Sequence, residues 1–212
     1  MTIIQCMARL CMILIPLIAL PACGLSGDEI NGKVIDEETN KPIPGATVSA
    51  LWIGNVFALV DTQSACVHAQ ASTTDYRGEF NMPEWRKESQ IGWVRHIKPS
   101  IIAHKHGYIF SRYENNTIYL KPFRGNVSER LEYLSTILDA NRCGSKDESE
   151  RTLHHLYNSM YQEAKRIAIS ENDKEIVDNL HYWSSFVLLD HSKPTGRDDK
   201  GRLINIDAKE RK

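Results

Sequence analysis

The chain lacks a charge excess, an abundance of cysteine and any long apolar run. Its 212 residues hold 26 Lys and Arg against 27 Asp and Glu, a formal net charge of −1. Without a basic excess there is little to neutralise phosphates, so nucleic acid is not expected as a partner. Five cysteines are too few for a fold built on disulfides. With 42% hydrophobic and 25% charged residues, the composition is that of a globular protein with one or two small domains.

Short strings that mark common enzyme classes are also missing. No His is followed by Glu at the spacing of a metallopeptidase site, and neither Gly-x-Ser-x-Gly nor Ser-x-x-Lys occurs. Phosphate-binding loops and dinucleotide fingerprints are absent too. These absences argue against those classes only, because a triad assembled from distant residues leaves no short string. The sequence therefore predicts no catalytic residue and no cofactor.

Residues 1–22 are predicted to be an export signal and no part of the fold. Their apolar run, residues 10–20, is shorter than the roughly 20 residues that a membrane-spanning helix needs. The string Leu-Pro-Ala-Cys that ends at Cys23 resembles the lipobox of bacterial lipoproteins, in which the cysteine is acylated and becomes the first residue. The resemblance implies a chain held on the lipid bilayer of the cell envelope, facing the periplasm. Gly24 is not the aspartate that typically retains lipoproteins at the inner membrane, which favours the outer membrane. An ordinary secretory signal and an uncleaved anchor are the alternatives.

The rest of the chain divides into a β-rich part and a helical part. Residues 23–27 are small and predict a tether, and in 28–123 apolar and polar residues alternate as in strands. The predicted strands are 30–34, 46–52, 79–82, 100–104 and 117–120. In 124–190 the apolar residues recur at helical spacing, which predicts about three helices. The polar tail 191–212 is predicted to be disordered.

Two motifs in the β-rich part resemble the carboxypeptidase regulatory-like domain. Residues 30–36 with 42–48 are similar to its opening hairpin, and Thr-Asp-Tyr-Arg-Gly-Glu-Phe at 74–80 to its Thr-Asp…Gly-x-Phe turn. Residues 105–108 and 118–122 are similar to its last strands. The whole chain is also similar to small bacterial lipoproteins of unassigned task.

The resemblance covers residues 28–123 and implies a seven-stranded antiparallel β-sandwich of the transthyretin (prealbumin) type. In metallocarboxypeptidases this module holds no catalytic residues, so it implies no active site. The expected fold class is therefore α+β, a sandwich followed by about three α-helices. Residues 54–71 depart from the family pattern, and either a strand extension or a loop would account for them.

Cys66 and Cys143 are predicted to form a disulfide. Besides Cys23 they are the only cysteines left once residues 1–22 are removed, and export places them in an oxidising compartment. The bond would tie the helical part to the sandwich. Two buried free thiols are the alternative.

The histidines are weak candidates for metal ligands. His104 and His106 stand two apart in a predicted strand, where both could project from one face, and His68 follows Cys66 by two residues. None has a further ligand at a recognisable spacing, so histidines on the surface or with satisfied hydrogen bonds are the favoured interpretation. The prediction is no metal site.

The favoured function is a non-enzymatic binding or scaffold module that contacts another envelope protein, a peptide or a glycan. A metal-binding envelope protein that uses the strand histidines is the alternative. A hydrolase with a dispersed site is a third hypothesis, which needs polar residues to converge between sandwich and helices. Trp52, Phe80 and Trp183 are expected in the core. Trp85 and Trp93 flank a polar turn, where packing in the core or at its rim is the favoured interpretation and contact with sugars or a partner is the alternative.

Overall fold

The structure, a computed structural model, describes residues 24–57, 62–88, 94–143, 148–189, 195–197 and 203–205. The predicted signal, Cys23 and Trp93 lie outside these ranges. Nine strands come first: β1 (Gly24–Gly27), β2 (Ile30–Asp36), β3 (Thr47–Phe57), β4 (Thr62–Thr73), β5 (Glu79–Met82), β6 (Trp85–Glu88), β7 (Val94–His104), β8 (Tyr108–Glu114) and β9 (Thr117–Pro122). Then come α1 (Val127–Ala140), a 3₁₀ turn (Glu148–Leu153), α2 (His154–Ile167) and α3 (Glu171–Phe186), followed by β10 (Thr195–Arg197) and β11 (Leu203–Asn205). The fold class is α+β, as predicted.

Seven of these strands form two sheets that share one apolar core. The strand order is β5–β2–β9–β8 in one sheet and β4–β3–β7 in the other. Val34 and Phe80 from the first sheet pack with Val48 and Trp52 from the second, all buried. One pair corrects the prediction of a wholly antiparallel sandwich, because β2 and β9 run parallel.

The three-stranded sheet is the middle layer of the molecule. On β3, Val48, Ala50 and Trp52 belong to the core between the sheets, whereas Leu51 belongs to the core formed with the helices. Consecutive side chains of a strand point to opposite faces, so burial along the whole run 48–52 requires cover on both sides. The helices α1, α2 and α3 provide that cover with a continuous apolar stripe. None of the helices in the described ranges is long and apolar enough to cross a membrane.

The Thr-Asp…Gly-x-Phe motif closes the sandwich through hydrogen bonds. The Thr74 hydroxyl donates to the carbonyl oxygen of Ile43 (2.7 Å) and accepts from the backbone N–H of Ala46 (2.8 Å). Gly78 has φ +72°, and a Cβ there would crowd the carbonyl oxygen of Val34. These contacts explain why the motif needs these residue types at these places.

Several details of the sandwich differ from the expectations. Residues 24–27, predicted to be a tether, form β1 and pair with β6. In the uncertain stretch 54–71, β3 continues to Phe57 and β4 begins at Thr62, which decides for a strand extension. Part of the predicted disordered tail is paired instead, because β10 and β11 form an antiparallel ribbon. The rest of the tail lies outside the described residues.

The helical predictions are confirmed. Helix α1 begins after Asn126 and ends before Asn141. Helix α3 begins after Ser170, whose backbone N–H donates to the Asp173 carboxylate (2.9 Å) in a capping box. Trp52 and Phe80 are buried, and Trp183 packs against the helical core. Trp85 is buried as well, so it is a core residue and no exposed contact for sugars.

The predicted disulfide between Cys66 and Cys143 is present. It joins β4 to the segment just after α1, with 5.0 Å between the two Cα atoms. Close to it, the Ser49 hydroxyl on β3 donates to the side-chain oxygen of Asn141 (2.7 Å), the residue that ends α1. The helical layer is thus fixed to the middle sheet at the C-terminal end of α1.

Candidate functional site

The histidines at 104 and 106 lie around one buried carboxylate. His104 ends β7, His106 is in the following turn, and Glu163 projects between them from α2. Nε2 of His104 is 2.8 Å from Oε2 of Glu163, and Nδ1 of His106 is 3.1 Å from Oε1. The His104 side chain is 0% exposed and Glu163 2%, whereas His106 is 46% exposed. The two rings converge on Glu163, which the sequence analysis did not name.

Arg130 of α1 completes this cluster. Its Nε donates to Oε1 of Glu163 (2.8 Å) and one terminal nitrogen donates to Oε2 (2.9 Å), a bidentate pair. The same guanidinium donates to the carbonyl oxygens of Tyr108 (2.5 Å) and Lys105 (3.3 Å). Because Arg130 is 3% exposed, this is a buried charge in which each of the three nitrogens has a hydrogen-bond partner. It connects α1, α2 and the turn between β7 and β8.

Ser159 brings a hydroxyl to the other side of the His104 ring. Its Oγ is 3.2 Å from Nδ1, so the neutral ring accepts from Ser159 and donates from Nε2 to Glu163. Serine, histidine and carboxylate therefore do converge between sandwich and helices, as a dispersed hydrolase site would require. However, the histidine has no exposed surface and its carboxylate is already neutralised by Arg130. This geometry favours a structural role, in which the cluster holds the helices on the sheet, over a catalytic role in which His104 activates Ser159 as a nucleophile.

The same cluster leaves little room for a metal ion. In the described ranges, no group of three His, Cys, Asp or Glu is arranged to hold one. Both ring nitrogens of His104 have protein partners, and the Arg130 guanidinium already balances the charge of Glu163. His68 is not brought to the other two histidines, because it lies on β4 and stacks on Trp85 with 4.2 Å between ring centroids.

Burial and ion pairing set the protonation of the cluster. Burial lowers the pKa of His104 below its ordinary value, and the opposing contact with Glu163 does not compensate. For Glu163, burial acts to raise the pKa, but hydrogen bonds and charges from His104 and Arg130 more than reverse this and bring it to about 2. At neutral pH the cluster therefore holds a neutral imidazole, a carboxylate and a guanidinium.

We expect acid to lower the free energy of unfolding in two steps. Below the ordinary His pKa of 6.5 the unfolded chain takes up a proton that folded His104 resists, so stability is lost as pH falls. Below pH 4.5, the ordinary pKa of Glu, Glu163 takes up a proton in the unfolded chain but not in the folded chain. The free energy of unfolding therefore falls a second time as the pH approaches 2. Denaturant unfolding at a series of pH values measures both. The His104→Gln variant should lose the first step and keep the second, and an unchanged first step would contradict the assignment.

An open polar groove of about 720 Å³ lies away from the helices, along β2 and β5. All residues that line it belong to the strands and turns of the sandwich. They are Asn31, Gly32, Lys33, Ser72, Thr73, Asp75, Glu79, Phe80, Asn81, Asn115, Asn116 and Thr117. Four of them are asparagines, and the Asn81 amide nitrogen donates to the side-chain oxygen of Asn31 (2.5 Å), so side-chain amides supply part of the polar surface that a ligand would meet.

One wall of the groove is the tight turn between β8 and β9. Asn115 and Asn116 both have positive φ, 48° and 58°, as a two-residue hairpin turn requires. The carbonyl oxygen of Asn116 accepts from the backbone N–H of Lys33 (3.0 Å), and a Cβ on Gly32 would overlap that oxygen and the Phe80 ring. Glycine at 32 therefore allows the turn to lie against β2, which fixes the shape of this wall.

The charges of the groove are largely paired. Nζ of Lys33 is 2.9 Å from the Glu79 carboxylate across the β2–β5 pair. The Asp75 carboxylate accepts from the backbone N–H groups of Arg77 (2.8 Å) and Glu79 (2.9 Å). Among the described residues that line the groove, the one lysine is paired, so they offer amides, hydroxyls and carboxylates but no free cation.

Comparison with protein-family models, with curated proteins and with solved structures found no match to this chain. The functional assignment therefore depends on the groove, the buried cluster and the sequence motifs themselves.

Proposed function

We propose that the chain is a lipid-anchored envelope protein whose sandwich binds a neutral glycan in the groove, without catalysing a reaction. The observation that carries the proposal is the groove of about 720 Å³ with its four asparagines. The lipobox at Cys23 supports the location, and the Cys66–Cys143 disulfide fits an oxidising compartment such as the periplasm. The proposal includes a relationship to carboxypeptidase regulatory-like domains, which is supported by sheets of four and three strands and by the turn at 74–80.

The charge of the groove favours a neutral ligand. An anionic ligand would meet Asp75 and Glu79 without an unpaired cation to offset them. A side-chain amide both donates and accepts, and a carboxylate accepts strongly, which suits neighbouring hydroxyl and acetamido groups. The polar surface of the groove thus matches the chemistry of a neutral sugar chain.

Two tyrosines adjacent to residues of the groove are compatible with a glycan ligand. The Tyr113 hydroxyl donates to the side-chain oxygen of Asn116 (3.0 Å), which places its ring next to the turn wall. Tyr76 follows Asp75 and is 75% exposed. Aromatic rings with a polar end bind surfaces that are partly apolar, such as the C–H face of a sugar ring.

A tetrasaccharide of N-acetylglucosamine tests this function. With soluble Cys23→Ser protein, we expect amide NMR shifts at residues 31–33, 79–81 and 115–117 on titration. The Asn116→Gly variant should bind about fivefold more weakly, because one hydrogen bond contributes about 1 kcal/mol. Glycine accepts positive φ, so this variant removes the side chain and leaves the turn unstrained.

Asn179→Ala is the matched control, since Asn179 is exposed on α3 and does not line the groove. It should bind as the parent protein does. Shifts of equal size in the Asn116→Gly protein, or none in the parent at millimolar sugar, would contradict the proposal. Shifts at the same residues with tetra-alanine and none with the tetrasaccharide would replace the glycan by a peptide.

A further inference from the structure

The fold leaves no linker between the lipid anchor and the sandwich. We infer that the protein docks directly on the lipid surface through the β1–β6 ribbon, which is Gly24–Gly27 paired with Trp85–Glu88. This inference rests on the proposed acylation of Cys23. It goes beyond the proposed function because it assigns a second contact surface and an orientation to the molecule.

The first step is that β1 is part of the folded sandwich. All four of its residues pair in register with β6, beginning at Gly24 opposite Glu88. Leu25 is 7% exposed and belongs to the core between the sheets. A Cβ at Gly27 would overlap the indole nitrogens of Trp85 and Trp52, so the ribbon is closely packed on these rings. Peeling β1 away would expose the apolar surfaces of Leu25 and Trp85 to water, which is unfavourable.

The second step is the short distance between the acylated residue and the start of β1. Adjacent Cα atoms are about 3.8 Å apart, so Gly24 lies within one such step of the acylated residue. A flexible linker of ten residues would instead allow a root-mean-square reach of about 17 Å. With the acyl chains of Cys23 in the bilayer, the start of β1 and its partner Glu88 are held at the headgroups.

The third step is the orientation of the rest of the molecule. Two residues connect β1 to Ile30, the start of β2, and β2 then runs to Asp36. The Asp36 carboxylate accepts from the Tyr108 hydroxyl (3.1 Å), and the Tyr108 carbonyl oxygen accepts from Arg130. The buried cluster is therefore at the end of β2 that is remote from the anchor. The bilayer faces the Ile30 end.

The ribbon carries charges of both signs. Arg86 and Lys87 lie opposite Ser26 and Leu25, within three residues of Cys23 along the paired strand. The Arg86 side chain is 80% exposed and lies 3.9 Å from a carboxylate oxygen of Glu84, and Glu88 lies opposite Gly24. The acyl chains of Cys23 therefore hold the ribbon at the bilayer, and the mixed charges of the ribbon add no net attraction to anionic lipids.

Fluorescence quenching measures this orientation in the acylated, full-length protein. Glu88→Cys and Lys41→Cys, each labelled with a small fluorophore, place a probe on the ribbon and on the exposed turn beyond Asp36. The protein is reconstituted in vesicles of phosphatidylethanolamine and phosphatidylglycerol that contain a lipid with a nitroxide headgroup. We expect several-fold stronger quenching at position 88 than at position 41.

A ten-residue Gly/Ser insertion after Cys23, beginning with Gly, is the matched control. It adds a reach of about 17 Å and should reduce the quenching at position 88 by at least half. Equal quenching at both positions, or no effect of the insertion, would overturn the docking while leaving the anchor intact. Fractionation of Cys23→Ser tests the anchor separately, because persistent membrane association would refute acylation at this residue.

Discussion

Glu163→Gln should lower the free energy of unfolding by about 3–5 kcal/mol, the cost of leaving a buried charge unpaired. The variant keeps the shape of the side chain but removes the charge that the Arg130 guanidinium meets at 2.8 and 2.9 Å. Arg130 is 3% exposed, so water cannot replace the lost partner. Urea unfolding followed by circular dichroism measures the loss.

Two further variants separate the charge from the packing. Glu175→Gln makes the same chemical change at an exposed position of α3 and should alter stability by less than about 0.5 kcal/mol. Arg130→Met combined with Glu163→Gln removes both charges and should recover part of the loss, since an apolar replacement of a buried pair is often neutral. If the double variant lost as much stability as the two single variants lose when their losses are added, Arg130 and Glu163 would not be coupled.

The sequence predicted several strands and a turn of the β-rich part because their signals are local. Alternating apolar residues in 30–34 and 46–52 and the turn residues in 74–80 each depend on a few neighbours, and the structure has strands and a turn there. The strand β1 was not foreseen, because it is held by pairing with residues sixty positions away and by two tryptophans. The residues at 23–27 are as compatible with a flexible tether as with a strand.

The buried cluster could have been found from helical spacing. Glu163 follows Met160 by three residues and precedes Ile167 by four, so it lies on the apolar face of α2. Arg130 likewise precedes Leu134 by four on α1. Charged residues on apolar helix faces are rarely buried without a partner of opposite charge. The presence of Glu163 on one such face and Arg130 on another therefore indicates that they form a pair. The contact of this pair with His104 depends on how the helices pack on β7. No local sequence pattern predicts that packing.

The groove had no comparable signal. Its asparagines are spread over β2, β5 and the turn between β8 and β9. Asn31 and Asn81 meet through the pairing of β2 with β5, and the turn asparagines join them because Gly32 lets that turn approach the sheet. A polar residue at the surface of a strand has the same sequence pattern whether or not it lines a groove.

Replacing both Cys66 and Cys143 by alanine should lower the free energy of unfolding by about 4 kcal/mol at most. The bond closes a loop of 77 positions, and the entropy of that loop in the unfolded chain sets the estimate. We expect one cooperative transition to remain, because Leu51 and Ala69 of the sheet still pack with the apolar stripes of α1 and α2. Guanidinium unfolding in the Cys23→Ser background measures the change.

Adding a reductant separates the contribution of the covalent bond from that of the packing of the two sulfur atoms. The reductant should shift the unfolding midpoint of the parent protein towards that of the double alanine variant, and it should leave the midpoint of the variant unchanged. The Arg130–Glu163 pair holds the start of α1, whereas the disulfide lies beyond its end, so the two contacts fix the helical layer at separate places. If loss of the disulfide released the helices first, two transitions would appear and the layers would not unfold as one unit. Equal midpoints for the oxidised parent and the alanine variant would instead show that the bond contributes nothing to stability.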